Sequence, residues 1–233
     1  MKKIGFIVFL VALIAGCVLA NFVNWGKGTT EFFQFSVGRG GEKGSGTTAT
    51  EVRGLRGFTK VDTGGVFQVE IVVQSDFSVE VEADDNLLQY IKTDVSGGEL
   101  EISLDKRVRS NNPLRVRIGM PNIEELEASG ASKVWVKNVK NALLSVEASG
   151  ASKVEISGET ADLRADISGA SQVNAAELRS VNANIDASGA SRASVNVSGE
   201  LRSEASGASS ITYTGSPSNV IKNTSGGSSV VQN

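Results

Sequence analysis

The sequence predicts an all-β fold: a right-handed parallel β-helix, or β-solenoid, of about 19-residue coils with larger and irregular N-terminal coils. Two observations carry that expectation. One is a repeat: Ser-Gly-Ala-Ser begins at Ser129, Ser149, Ser168, Ser188 and Ser206, and a degenerate Ser-Gly-Gly-Ser begins at Ser225. Successive starts lie 20, 19, 20, 18 and 19 residues apart, a period at which self-similar units build solenoids. The other is an alternation of apolar residues on both sides of the motif. After it come Val134, Val154, Val173, Ala193 and Ile211, and two residues further on Val136, Ile156, Ala175, Val195 and Tyr213. A period of two marks a strand with one buried face.

A unit this short cannot bury its own apolar stripe. Copies stacked at roughly 4.8 Å pair each strand with its equivalent above and below, and the preferred hand of parallel crossovers sets the coil right-handed. Each repeat is expected to hold two short strands, joined at Ser-Gly-Ala-Ser on one side and at a polar turn such as Ser157-Gly158-Glu159 or Gly215-Ser216-Pro217 on the other. The motif residues Ser129, Gly130, Ser149, Gly150, Ser168, Gly169, Ser188, Gly189, Ser206 and Gly207 read as structural corners. Small side chains there let successive coils approach, glycine reaches backbone conformations closed to other residues, and stacked serines hydrogen-bond along the column. A phosphate cradle would need a helix N-terminus behind it. A serine nucleophile would need a base, and the chain contains no His.

Taken in order, the chain starts with Lys2 and Lys3 before a 13-residue apolar run, Ile4 to Gly16, the form of an export signal. Leu13-Ile14-Ala15-Gly16-Cys17 resembles a bacterial lipobox, which makes the only cysteine, Cys17, a lipidation site at the end of a 1–17 signal peptide. The rival expectation is an uncleaved transmembrane anchor over 4–25, 22 residues long and ending at Trp25. Both place the bulk of the chain outside the cytoplasmic membrane and anchor it to a membrane of the cell envelope, inner or outer. Residues 26–50, rich in Gly, Thr and Ser, read as a flexible tether. The folded domain is expected over 51–233 as one unit. It opens with alternating strands broken at Thr63-Gly64-Gly65, Ser96-Gly97-Gly98 and Asn111-Asn112-Pro113, and holds one helical turn near 84–91 whose start Asp84 and Asp85 cap. These irregular coils are expected to cap the solenoid.

Phe58-Thr59-Lys60-Val61, Gly65-Val66-Phe67-Gln68-Val69, Glu82-Ala83-Asp84-Asp85-Asn86-Leu87-Leu88, Gly97-Gly98-Glu99-Leu100 and the recurring Ser-Gly-Ala-Ser together resemble the bacterial family called putative auto-transporter adhesin, head GIN domain. The resemblance runs from about Phe58 to the C-terminal end. It implies a parallel β-helix-like fold in an exported protein of the cell envelope and brings no catalytic residues with it.

Two functions are weighed against one another. The first is a non-catalytic, membrane-anchored envelope module, adhesin-like or structural, meeting an envelope polysaccharide or protein. Its outward positions (Lys133, Trp135, Lys137, Lys153, Glu155, Arg164, Asp166, Asp186, Arg192, Glu204) are of mixed sign and read as a solvated face. Trp135 between Lys133 and Lys137 is the candidate surface contact, with packing against the neighbouring coil as the other reading. The alternative is a polysaccharide-active enzyme on a β-helix scaffold. It would draw on the clustered acids Glu124, Glu125 and Glu127 or Asp84 and Asp85. No cofactor is expected. Without His or a second Cys the usual metal clusters are missing, and 23 basic against 26 acidic residues, with no basic stripe, argues against nucleic acid.

Overall fold

The computed structural model describes residues 40–233. The signal peptide with Cys17, the alternative anchor and most of the expected tether lie outside the described residues. The order of elements is β1 (Glu42–Lys43), β2 (Thr48–Arg53), β3 (Lys60–Thr63), β4 (Gln68–Val73), β5 (Ser78–Asp84), a 3-10 turn at Leu88–Tyr90, β6 (Ile91–Ser96), β7 (Glu99–Leu104), β8 (Val108–Arg109) and β9 (Arg115–Met120). The regular part follows as β10 (Glu125–Ala128), β11 (Lys133–Ala148), β12 (Lys153–Ile167), β13 (Gln172–Ala187), β14 (Arg192–Val197), β15 (Glu200–Ala205), β16 (Ser210–Thr214), β17 (Asn219–Thr224) and β18 (Ser229–Gln232). The fold is the expected β-solenoid. Its strands stack parallel in two long columns, one leading into the corner motif and one leaving it.

The solenoid begins earlier than the repeat does. Thr63-Gly64-Gly65 is itself a corner, since β3 and β4 on its two sides pair with β10 and with the start of β11. Residues 74–120 are a long excursion that folds beneath this first coil: β7 lies parallel to β3 and β9 parallel to β4. The end is then closed by antiparallel strands, β6 on β7, and β5 on β9 with β2 outside it. The expected cap is therefore real, but it is laid down out of sequence order. Its outermost strand, β2, shows that the segment from 40 to 53 is folded, which corrects the expected tether over 40–50. The expected capping of the short helical turn is corrected as well. The Asp84 carboxylate is buried and accepts hydrogen bonds from Ser110 Oγ at 2.7 Å and Asn112 Nδ2 at 2.5 Å, so it fixes the 105–114 loop instead.

In the three central coils the second junction differs from a turn. β11, β12 and β13 run 16, 15 and 16 residues through it, with bulges between Val136/Val139, Glu155/Ser157 and Ala175/Arg179. Buried Val139, Thr160, Leu178 and Ser180 give this stretch an inward face, so pairing continues around a short third side. Gly158 permits the bend, because a Cβ there would meet the backbone of Val139.

The core is a set of stacked rows. Val69, Val134, Val154 and Val173 lie in one. In the other column two rows compensate each other: Val146, Ala165 and Ile185 run beside Ala148, Ile167 and Ala187, one large and one small residue per coil, which keeps coil volume even. At the last coil Lys222 takes the inward place that Ser203 holds below it, donates to the Val230 carbonyl at 3.2 Å and lies 4.7 Å from the Tyr213 ring centroid. At the corners the coils are joined through the backbone, and the second serines that bond donate to carbonyls, as Ser132 does to Ser129 and Ser191 to Ile167, not to one another. Each motif alanine donates to the glycine of the coil before, for example Ala151 to Gly130 at 2.7 Å and Ala190 to Gly169 at 2.8 Å. The second serines, Ser132 to Ser209, point inward and are buried.

Candidate functional site

The outward faces carry whatever chemistry the domain has, because the inward rows are given to packing. Trp135 projects outward between buried Val134 and Val136 and is half-buried. In its row Arg117, Glu70, Trp135, Glu155 and Asn174 follow one another. Shallow grooves of about 120 Å³ and about 160 Å³ open on its two sides, the first reaching Glu155 and Glu177, the second Arg115 and Arg117. Lys137 pairs with Glu70 at 2.6 Å. Lys133 is exposed and stands between Gln68 and Lys153.

The acid clusters of the enzyme reading are dispersed. Glu125 pairs with Lys60 at 2.5 Å, Glu124 accepts from Thr59 and Asn122, and Asp85 accepts from Ser45 Oγ and the Asn86 amide. Only Glu127 joins a larger array, and sequence reading missed that array.

Asp94, Glu101, Asp62, Glu127, Glu147, Asp166, Asp186 and Glu204 stand in consecutive strands at one register position, a row of eight carboxylates closed by Asn223. Among the described residues none of the eight takes part in an ion pair. A groove of about 430 Å³ follows the row along Asp166, Asp186 and Glu204, bordered by Ser188, Ser206 and Ser225. Across the corner a second row runs Arg115, Gln68, Lys133, Lys153, Gln172 and Arg192. The two rows that border the Ser-Gly-Ala-Ser column are thus sorted by sign, while the outward rows behind them, with Arg164 and Arg202 on the acidic side and Glu70 and Glu155 on the basic side, keep the expected mixed sign. The signal was legible had the motif been read seven residues long: Glu127 to Lys133, Glu147 to Lys153 and Asp186 to Arg192 each begin acidic and end basic.

Stacking like charges perturbs them. Partial desolvation and then the neighbouring carboxylates raise the pKa of Asp62, Glu127 and Asp186, the last through Glu204 and Asp166. A carboxyl that holds its proton more tightly folded than unfolded favours the fold at low pH, and the advantage is lost as pH rises through the raised value. Asp186→Asn is therefore expected to be more stable than the parent at pH 7, with the difference vanishing as pH falls toward about 3.8, the ordinary value for this side chain. Urea midpoints at several pH values measure this; a variant less stable at pH 7 would contradict the account of the row.

The described residues thus form an end-capped parallel β-solenoid whose rows on the two sides of the corner differ in charge. The chain belongs to the family described as putative auto-transporter adhesin, head GIN domain, whose pattern matches residues 57–217. Among solved structures it is similar to a putative adhesin from Bacteroides fragilis, with a TM-score of 0.71 at 19% identity over 83% of this chain and 100% of that one. It is also similar to a putative adhesin from Parabacteroides distasonis, with a TM-score of 0.57 at 18% identity, covering 83% of this chain and 99% of that one. A putative lipid binding protein from the same species follows, with a TM-score of 0.50 at 17% identity over 82% and 98% of the two chains. At these identities the likeness is one of fold. The match spans the whole of the first of these solved chains, so that chain carries this fold and nothing beyond it. No curated protein matches the sequence.

Proposed function

We propose that the protein is an exported, membrane-anchored module of the bacterial cell envelope that binds without catalysis, in the manner of an adhesin, and that its contact face carries Trp135 flanked by Lys133 and Lys137. The anchor is the N-terminal apolar segment, through lipidated Cys17 or as an uncleaved span; among the described residues no helix is long and apolar enough to cross a membrane. The observation that carries the reading is Trp135 itself: a half-buried indole on a polar sheet face, open on both sides and set among Glu70, Glu155, Arg117 and Asn174. Apolar rings framed by hydrogen-bonding groups suit the flat faces and hydroxyl edges of a sugar. An envelope polysaccharide is the partner class this favours.

The test is a glycan array and a cell-wall pull-down with the 40–233 fragment beside Trp135→Ala. Binding should fall at least about tenfold in the variant, the equivalent of roughly 1.4 kcal/mol. Equal binding by both proteins would remove Trp135 from the contact face. Release of cleaved product from any polysaccharide would replace the binding module with an enzyme.

A further inference from the structure

We propose that the domain pairs with a second copy of itself across the Ser-Gly-Ala-Ser corner, about a two-fold axis parallel to the solenoid axis. Three features of that edge fit together. Its crest is built of exposed Gly and Ala, from Gly130-Ala131 to Gly207-Ala208, so no bulky side chain holds another surface away. One flank carries the carboxylate row, whose members have no ion pair among the described residues. The other carries Lys133, Lys153 and Arg192, all exposed; among the described residues Lys153 alone of these is paired, with neighbouring Glu155 at 2.7 Å.

A half-turn about an axis along the solenoid exchanges the flanks. It sets the acidic row of each copy against the basic row of the other. A two-fold also keeps equal heights opposed, so Glu127 faces Lys133 of the second copy, Glu147 faces its Lys153, and Asp186 faces its Arg192. Each contact occurs twice, as a self-complementary interface requires. In the coil between, Asp166 meets the neutral Gln172, which donates to a carboxylate. The antiparallel arrangement of the same two edges would place carboxylates against carboxylates, and like charges directly opposed exclude it. Charge complementarity therefore selects both the partner and its orientation, and of the residues in the proposed Trp135 face it draws on Lys133 alone.

Sedimentation velocity on the 40–233 fragment tests this, with two charge-swapped variants. One is Lys133→Glu, Lys153→Glu, Arg192→Glu, acidic on both flanks; the other is Glu127→Lys, Glu147→Lys, Asp186→Lys, basic on both. The parent should dimerise at low salt and dissociate as added salt shortens the screening length to about 10 Å at 0.1 M. Each variant alone should be monomeric, and an equimolar mixture should form a one-to-one pair. All substitutions sit on outward positions, and circular dichroism checks that both variants fold. A parent that stays monomeric at low salt up to millimolar concentration would overturn the proposal, as would variants that dimerise like the parent or fail to pair when mixed.

Discussion

Gly169→Ala is expected to destabilise the domain by about 3–5 kcal/mol, among the larger effects a single methyl group produces. Two costs add. Gly169 has φ 69°, the left-handed region that disfavours residues with a Cβ by roughly 1–2 kcal/mol. In addition, the added Cβ would stand 2.5 Å from the Gly150 carbonyl oxygen of the coil before. Relief by moving that coil would break the hydrogen bond from Ala170 to Gly150 at 2.8 Å, and the same contact recurs at Gly150, Gly189 and Gly207, so the displacement propagates. Gly46→Ala separates the terms: its φ is 88°, but nothing lies within 4 Å of the added atom. It should cost only about 1–2 kcal/mol. Equal shifts in the urea midpoint for the two variants would defeat the close-packed account of the corner.

Phe67→Ala should cost a similar amount, about 3–5 kcal/mol, from lost burial and the cavity left behind. Phe67 is fully buried and occupies, one coil earlier, the corner place of Ser132: Lys133 donates to its carbonyl as Lys153 does to that of Ser132. At a repeat corner a serine suffices because neighbouring coils are alike. Where the stack meets the irregular cap the interior needs a large side chain, and Phe67 supplies it. The loss should appear in denaturant melts and as faster amide exchange in the cap strands Ser78–Asp84 and Arg115–Met120. A loss below about 1 kcal/mol would show that the cap interior collapses around the gap or was never tightly filled.

The regular coils were legible because each repeat states its geometry again: the same corner, the same offsets, the same alternation around Val134, Val154 and Val173. The cap was not. Strands such as Ser78–Asp84 and Glu99–Leu104 alternate as clearly, but alternation gives a strand and a buried face, not a neighbour or a direction. Nothing in the sequence says that 99–120 returns beneath 60–73, or that Asp84 turns inward to hold Ser110 and Asn112. The bend at Gly158 was read as a turn because glycine and polar residues mark both turns and bulges. Trp135 was found by its residue type. The carboxylate row was missed because its members were read along the chain, where signs alternate, when their neighbours lie one coil away.

The excursion from 74 to 120 also bears on how such a molecule comes into being. A chain that emerges N-terminus first completes its closed end by Met120, before any regular coil exists. The first regular coil meets that template across the whole excursion, Glu125 on Lys60 and Lys133 on Gln68, but from there each new partner lies only about 19 residues back along the chain, so the entropic cost of closing a coil stays nearly constant however long the stack becomes. Assembly is then one-directional, a ratchet advancing one coil at a time from a fixed foundation.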